Sequence, residues 1–379
     1  MKSDLDRLMA DRGFDAFVVM GERTANHALI YLTNGARISY GIVIQKRGSD
    51  PLLLVSPMER DEAAKSGLTI ITTNEFNLPE YIKETRSRFE GQMQMLADVL
   101  KHYEVQGTVS FYGMEDVGRA FTSLNRLQAL VPGLTAVGET EVTIFDQAGA
   151  TKDEQELAAI RSVAERTNRV MDETMAFLTS HKAKGGKLIH RDGSPLTIGD
   201  VKRHVRLRLM HYDLEEEGEI IFAIGRDAGV PHSRGEESAA LELGKSIVFD
   251  LFPRQRGGGY FHDMTRSFCL GYAPEEVEQA YHQVEQAFHL VLEAISLGQD
   301  AKDYQQMVCD FFQEQGHQTP ISHPGTEEGY VHGLGHGLGL QIHSRPRMGP
   351  VSQDKIEAGQ VFNNEPGLYY PERGYGIRI

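Results

Sequence analysis

The sequence predicts an α/β N-terminal domain over residues 1–147 and an α+β domain over residues 148–379. Three observations carry that division. Short apolar runs alternate with helical stretches in the first part. A capped break falls near residue 150, and the remainder runs twice through one order of elements: helix, helix, hairpin.

In the first part, AFVVM (16–20), GIVIQ (41–45), PLLLVS (51–56), TIITT (69–73) and TVSFYG (108–113) read as strands. Helical patterns at 3–12, 57–66, 88–104 and 115–130 lie among them, as expected for helices packed on a sheet. No catalytic constellation is visible there.

The break lies in FDQAGATKDEQEL, where Gly149 ends one element and Thr151 with Glu154 forms a capping box. A helix is expected from there to Leu178, with Leu157, Ile160, Val163 and Val170 on one side. Residues 181–195 read as loop, a second helix starts near Thr197, and strands follow at 219–224 and 246–270. Pro274 then opens a long helix, Asp300 caps another that ends at Gln315, and strands return at 331–343 and 360–369. The two halves share a pattern rather than a sequence repeat and are expected to pack face to face.

Composition narrows the function. Hydrophobic residues make up 40% and charged ones 25%, ordinary for a globular chain. The net charge of −15 repels phosphate backbones and anionic membranes, so neither nucleic acid nor membrane is an expected partner. Cys269 and Cys309 make no disulfide framework, which fits a reducing compartment. The start, MKSDLDRLMADRGF, lacks the apolar stretch of a signal peptide, and no apolar run is long enough to span a bilayer. A cytoplasmic protein is expected. Gly244-Lys245-Ser246 imitates the tail of a phosphate-binding loop, but Ala239 stands where the first glycine should, and a strand follows. HGLGHGLGL fits GxGxxG in no frame.

The chemistry gathers in VFDLFPRQRGGGYFHDMTRSF, residues 248–268. Two alternating runs flank Gly257, Gly258 and Gly259, the pattern of a β-hairpin. With the turn centred between Arg256 and Gly257, Asp250 falls directly opposite Asp263. Like charges so placed repel, and a divalent cation converts that repulsion into coordination. Other groups could converge on the pair: His232 in VPHSRG, His332, His336 and His343 in VHGLGHGLGLQIH, and Glu365 in NNEPGLYYP. Carboxylates and imidazoles suit Mn²⁺, Co²⁺, Fe²⁺ or Zn²⁺. Taken singly, each has a plain structural reading: a capping aspartate, a turn histidine, a surface glutamate.

The set DLF…GYFHDMTRSF, HGLGHGLGLQIH and NNEPGLYYP…GYGIRI resembles the pita-bread metallopeptidases, in the branch of prolidase and Xaa-Pro aminopeptidase (aminopeptidase P), with metal-free creatinase as a cousin. The resemblance covers residues 150–379, and NHALIYLTNG resembles the extra N-terminal domain of that branch. It implies a fold of two pseudo-symmetric helix-helix-hairpin halves. It also implies two divalent metal ions, Mn²⁺ first, with Co²⁺, Zn²⁺ or Fe²⁺ as alternatives. Asp250, Asp263, His336 and Glu365 would ligate them, and a bridging hydroxide would attack the scissile carbonyl. Glu365 would serve as general base, and His343 would assist proton transfer or hold the oxyanion. His232 would line the catalytic pocket, and His332, Arg347 and Arg378 would bind substrate. The implied reaction is hydrolysis of the bond between an N-terminal residue and proline, by a homodimer. Arg345 or Arg347 could hold a dipeptide's free carboxylate bidentately; the plainer reading leaves both solvated.

Three departures stand out. The hairpin loop is two residues longer than the family's usual, which keeps the parity of the facing aspartates. Ser344 follows His343 where an acidic residue is common. The sequence stops at Ile379, where the family continues with a glutamate that bridges both metals. The expectation is therefore a chain cut short there, with a weakened second metal site in these 379 residues. Two other readings stay open: a binding protein on a degenerate peptidase fold, and a metal-free amidinohydrolase like creatinase.

Overall fold

The computed structural model describes residues 1–113 and 116–379. They divide into two compact units, Met1–Gly149 with Gly257–Gly259, and Ala150–Arg256 with Tyr260–Ile379.

The first unit is a six-stranded mixed sheet in the order Thr69–Thr72, Leu52–Val55, Tyr40–Lys46, Ala16–Glu22, Gly107–Tyr112, Leu134–Val137. Ala16–Glu22 takes a central place because Ala16, Phe17, Val18 and Val19 are apolar in succession and all buried, as a strand covered on both faces requires. The helix Arg88–His102 presses Met93, Leu96, Val99 and Leu100 into the core on one side of this sheet. Sequence periodicity missed the strand Leu134–Val137 and the short helices His27–Leu32 and Leu78–Thr85. The stretch 57–66 is a single α-turn, Arg60–Ala63, between two 3₁₀ turns. Residue 115, expected to start a helix, lies outside the described residues; the helix runs Val117–Leu130.

The second unit has the doubled organisation. Helices Glu154–Thr179 and Ile198–His211 share one core with strands Ile221–Ile224 and Ser246–Leu251. Helices Glu275–Ala294 and Ala301–Glu314 share another with strands Ser344–Met348, Gly367–Tyr370 and Tyr375–Arg378. Burying a side chain such as Phe249 or Phe312 contributes about 1.5–3 kcal/mol, so each half has its own source of stability.

Several local expectations need correction. The capping box of the first long helix is Asp153 with Glu156, not Thr151 with Glu154; Thr151 instead bridges to Gln360. Residues 181–195, read as loop, contain a small hairpin, Lys182–Lys184 with Lys187–Ile189, turning on Gly185 and Gly186 at positive φ. Asp300 holds the N-cap position without a capping bond, because its carboxylate pairs with Lys355. Of 331–343, only Gly335–Gly337 is strand.

The central hairpin also differs in register. Asp250 pairs with Thr265 and Leu251 with Met264, so Asp263 is not opposite Asp250. The turn is built on Gly257 and Gly258, both at positive φ (83° and 85°), which only glycine adopts without strain. That moves its centre one residue along and the facing partner of Asp250 two residues along. Asp263 stays on the same side as Thr265, since side chains alternate with period two.

Among the described residues, no helix is long and apolar enough to cross a membrane.

Candidate metal centre

Two extended segments build most of the site. Leu338 N donates to Val361 O, Asn363 N to His336 O and Glu365 N to Leu334 O, so residues 334–338 and 361–365 run antiparallel. His336 therefore faces Asn363, and alternation turns Glu365 to the same side. The glycines beside His336 permit the close approach. A Cβ on Gly335 would collide with the carbonyl oxygen of Asn363, and one on Gly337 with that of Arg345.

Asp263, His336 and Glu365 each offer a donor atom, all within 4.8 Å of one another. His336 Nε2 lies 3.5 Å from Asp263 Oδ2 and 3.4 Å from Glu365 Oε1. On the other side of the ring, Nδ1 is 3.2 Å from Gly337 O. A carbonyl only accepts, so Nδ1 carries the hydrogen and Nε2 turns its lone pair to the carboxylates. Burial, with the nearby charge of His343, depresses His336 to about 4, so the ring is neutral at neutral pH. Burial raises Asp263 well above the usual carboxylate range, and Asp250 and Glu365 push it further. Burial also raises Glu365 to about 7, against the pull of Arg378. This set fits a divalent cation: two carboxylates resist ionising for want of positive charge, and an imidazole lone pair points at both.

Asp250 stands outside that trio. Its Oδ1 accepts from Thr265 Oγ1 at 2.9 Å and its Oδ2 from Arg378 Nη2 at 2.5 Å. Arg378 Nη1 donates to Tyr369 Oη at 3.4 Å, and Tyr369 Oη donates to His332 Nε2 at 2.9 Å. His332 Nδ1 donates to Gly333 O at 2.7 Å, so both ring nitrogens are engaged. Burial depresses His332 to about 4.

The His343 ring stands edge-on to His336, with centroids 4.4 Å apart. Burial, then Arg347 and His232, lower its pKa. His232 is close enough for its charge to depress both His332 and His343. Arg347 is exposed, and its Nη2 donates to His343 O at 2.8 Å. Arg345 is not free for a ligand, since it forms an ion pair with the buried Asp354. The structure thus gathers the sequence-derived residues around two foci, Asp263–His336–Glu365 and Asp250–Arg378.

Sequence reasoning missed Thr265, Tyr369 and Asn363. Asn363 was the most legible, since strand alternation puts it on the face of Glu365, two residues on.

Residues 158–379 match metallopeptidase family M24, and the chain belongs to that family. An uncharacterized peptidase of Staphylococcus aureus (strain MW2) is 27% identical over 260 residues, 67% of this chain and 65% of that relative. The matched stretch is thus less than two thirds of the relative's length. An Xaa-Pro dipeptidase from Bacillus anthracis superposes with a TM-score of 0.78 at 18% identity, covering 100% of this chain and 93% of the other. An X-Pro aminopeptidase from Thermotoga maritima MSB8 gives 0.76 at 21% identity, covering 98% and 93%. The fold is the pita-bread fold of the prolidase and Xaa-Pro aminopeptidase branch.

Proposed function

We propose that this protein is a metal-dependent exopeptidase that removes an N-terminal residue standing before proline. The observation that carries the reading is the buried trio of Asp263, His336 and Glu365, two carboxylates and an imidazole lone pair on one point. Membership of the metallopeptidase family and likeness in fold to an Xaa-Pro dipeptidase and an X-Pro aminopeptidase support it.

Asp263, His336 and Glu365 would hold one divalent cation, and Asp250 would join the set by turning from Arg378. Bound there, such cations supply charge that polarises a carbonyl and acidifies water. Glu365, a carboxylate beside the ion's place, is positioned to take a proton from water there. His343, kept neutral by burial, has one N–H to donate to an oxygen that gains charge. Arg378 would hold Tyr369 in place and so act behind the reacting atoms. His332, engaged at both nitrogens, would offer a ring edge to the substrate, and His232 would close the same pocket.

The exposed guanidinium of Arg347, beside His343, would receive the free carboxylate of a dipeptide. In this reading the working enzyme is a cytoplasmic homodimer loaded with Mn²⁺, and light scattering on the purified protein checks the dimer.

The test is release of the N-terminal residue from an Xaa-Pro dipeptide and an Xaa-Pro tripeptide, with Mn²⁺ and after chelation. Cleavage that needs Mn²⁺ is expected, and the peptide cut identifies a dipeptidase or an aminopeptidase. Metal bound without cleavage of either peptide would overturn the proline specificity.

A further inference from the structure

We propose that Gln305 is a positioning residue for the metal centre, its buried amide seating the backbone of residues 330–334 and, through Leu334, that of Glu365. The proposal rests on the reading of Asp263, His336 and Glu365 as a cation site.

Gln305 lies on the helix Ala301–Glu314 and is wholly buried. An amide in such a place costs stability unless its polar atoms are paired, and here both are. Oε1 accepts from Leu334 N at 2.6 Å and from Tyr330 Oη at 3.2 Å. Nε2 donates to His332 O at 3.4 Å and to Cys309 Sγ at 3.3 Å. The amide's full capacity, two N–H groups and two lone pairs, is thus in use. Its partners at Tyr330, His332 and Leu334 fall on every second residue of one stretch. For His332 O and Leu334 N, the amide does what a residue of a neighbouring strand would do.

Leu334 is where that anchoring reaches the donors. Its N–H is shared between Gln305 and Met348 O, the latter at 2.8 Å, and its carbonyl accepts from Glu365 N at 2.9 Å. His336 follows two residues on in the same segment. His332 is held twice, by Gln305 at its carbonyl and by Tyr369 at its ring. None of the bonds made by Gln305 uses an atom that would bind the ion, so they do not compete with one. Methionine fills much the same volume but has no N–H and only a weakly accepting sulfur. It would withdraw the amide from Tyr330 Oη, His332 O and Leu334 N and let the segment shift, with Glu365 and His336 following.

The experiment compares the metal-stripped full chain with Gln305→Met and with two further variants. Gln306→Met makes the same change one residue on, where the exposed amide bonds Asp310. Val163→Ala lowers stability from the other core of the unit, which does not include residues 330–334. Two quantities are read: the Mn²⁺ dissociation constant by titration calorimetry, and the visible absorption spectrum of the Co²⁺ form. Circular dichroism establishes that each variant is folded, and Gln305→Leu carries the test if Gln305→Met is not. The expected result is Mn²⁺ binding weakened about tenfold, the low end for groups that orient metal ligands, since Gln305 acts through the backbone. The Co²⁺ spectrum is expected to change with it, while Gln306→Met and Val163→Ala match the parent in both. A merely structural role would lower stability, as Val163→Ala does, and move neither quantity. Folded Gln305 variants with the parent's Mn²⁺ affinity and Co²⁺ spectrum would overturn the proposal and leave the cation site standing. A parent chain that binds no Mn²⁺ would overturn both.

Discussion

Arg378 Nη2 lies 2.5 Å from Asp250 Oδ2, and the two side chains are only 5% and 10% exposed. Thr265 closes the group, donating to Asp250 at 2.9 Å and accepting from Arg378 Nε at 3.1 Å. Removing one member of a buried ion pair leaves the other charged and unsolvated, at a cost of about 3–5 kcal/mol. Arg378→Ala is expected to lose that much stability in urea unfolding. A loss well under 1 kcal/mol would mean that the buried pair contributes little net stability.

Cation binding should register as stability. A ligand that binds only the folded state adds about 2.7 kcal/mol at a hundredfold excess over its dissociation constant. Mn²⁺ should therefore raise the unfolding midpoint of the metal-stripped protein, and His336→Ala and Asp263→Asn should abolish the rise. An equal rise in both variants would place the binding elsewhere.

Without metal, the carboxylates impose a pH dependence. Glu365 has an ordinary value of 4.5 that burial, the largest influence, raises to about 7 in the folded protein. Between those values the folded state holds a proton that the unfolded chain has released. Stability should thus fall as pH rises from about 4.5 to about 7, by at most about 1.4 kcal/mol per pH unit for this group. Asp263, raised in the same direction, adds to the slope. Glu365→Gln should flatten the fall measured by denaturation across that range. An unchanged slope would assign it to other groups.

Gly337 has a steric reason to be glycine. An added Cβ would strike the carbonyl of Arg345, which is backbone and cannot swing away. Gly337→Ala should shift the strand that carries His336 and weaken Mn²⁺ binding along with stability. Gly339 is the comparison: the nearest atom to a Cβ there is Ser344 Oγ at 3.5 Å, an ordinary contact. Thermal unfolding and Mn²⁺ titration of both variants check the contrast, and equal behaviour would refute it.

Much of this was legible in the sequence because period and punctuation are local. The five expected strands of the first unit lie where short apolar runs put them, and the doubled helix-helix-hairpin order is that of two separate cores. The errors arose where local signals compete. Thr151 and Asp153 can each start a helix, and the choice went to Asp153 as Thr151 bridged to Gln360. Three glycines allow several turns, and only the backbone shows that Gly257 and Gly258 take the positive-φ places. The donors were found by residue type, but Asn363, Tyr369 and Thr265 each also meet a partner far off in sequence: His336 at 27 residues, His332 at 37 and Arg378 at 113. No local pattern encodes such pairings.

Those distances bear on how the molecule comes into being. Asp250 meets Arg378 across 128 residues, and Asp263 meets Asn363 across 100. Closing loops of that length costs entropy that the contacts return only at the end, so they form slowly. A half-folded chain, with its first core made and its last hairpin loose, would hold aspartates but no centre. A donor face drawn from both halves of the unit is thus complete only where both halves are folded.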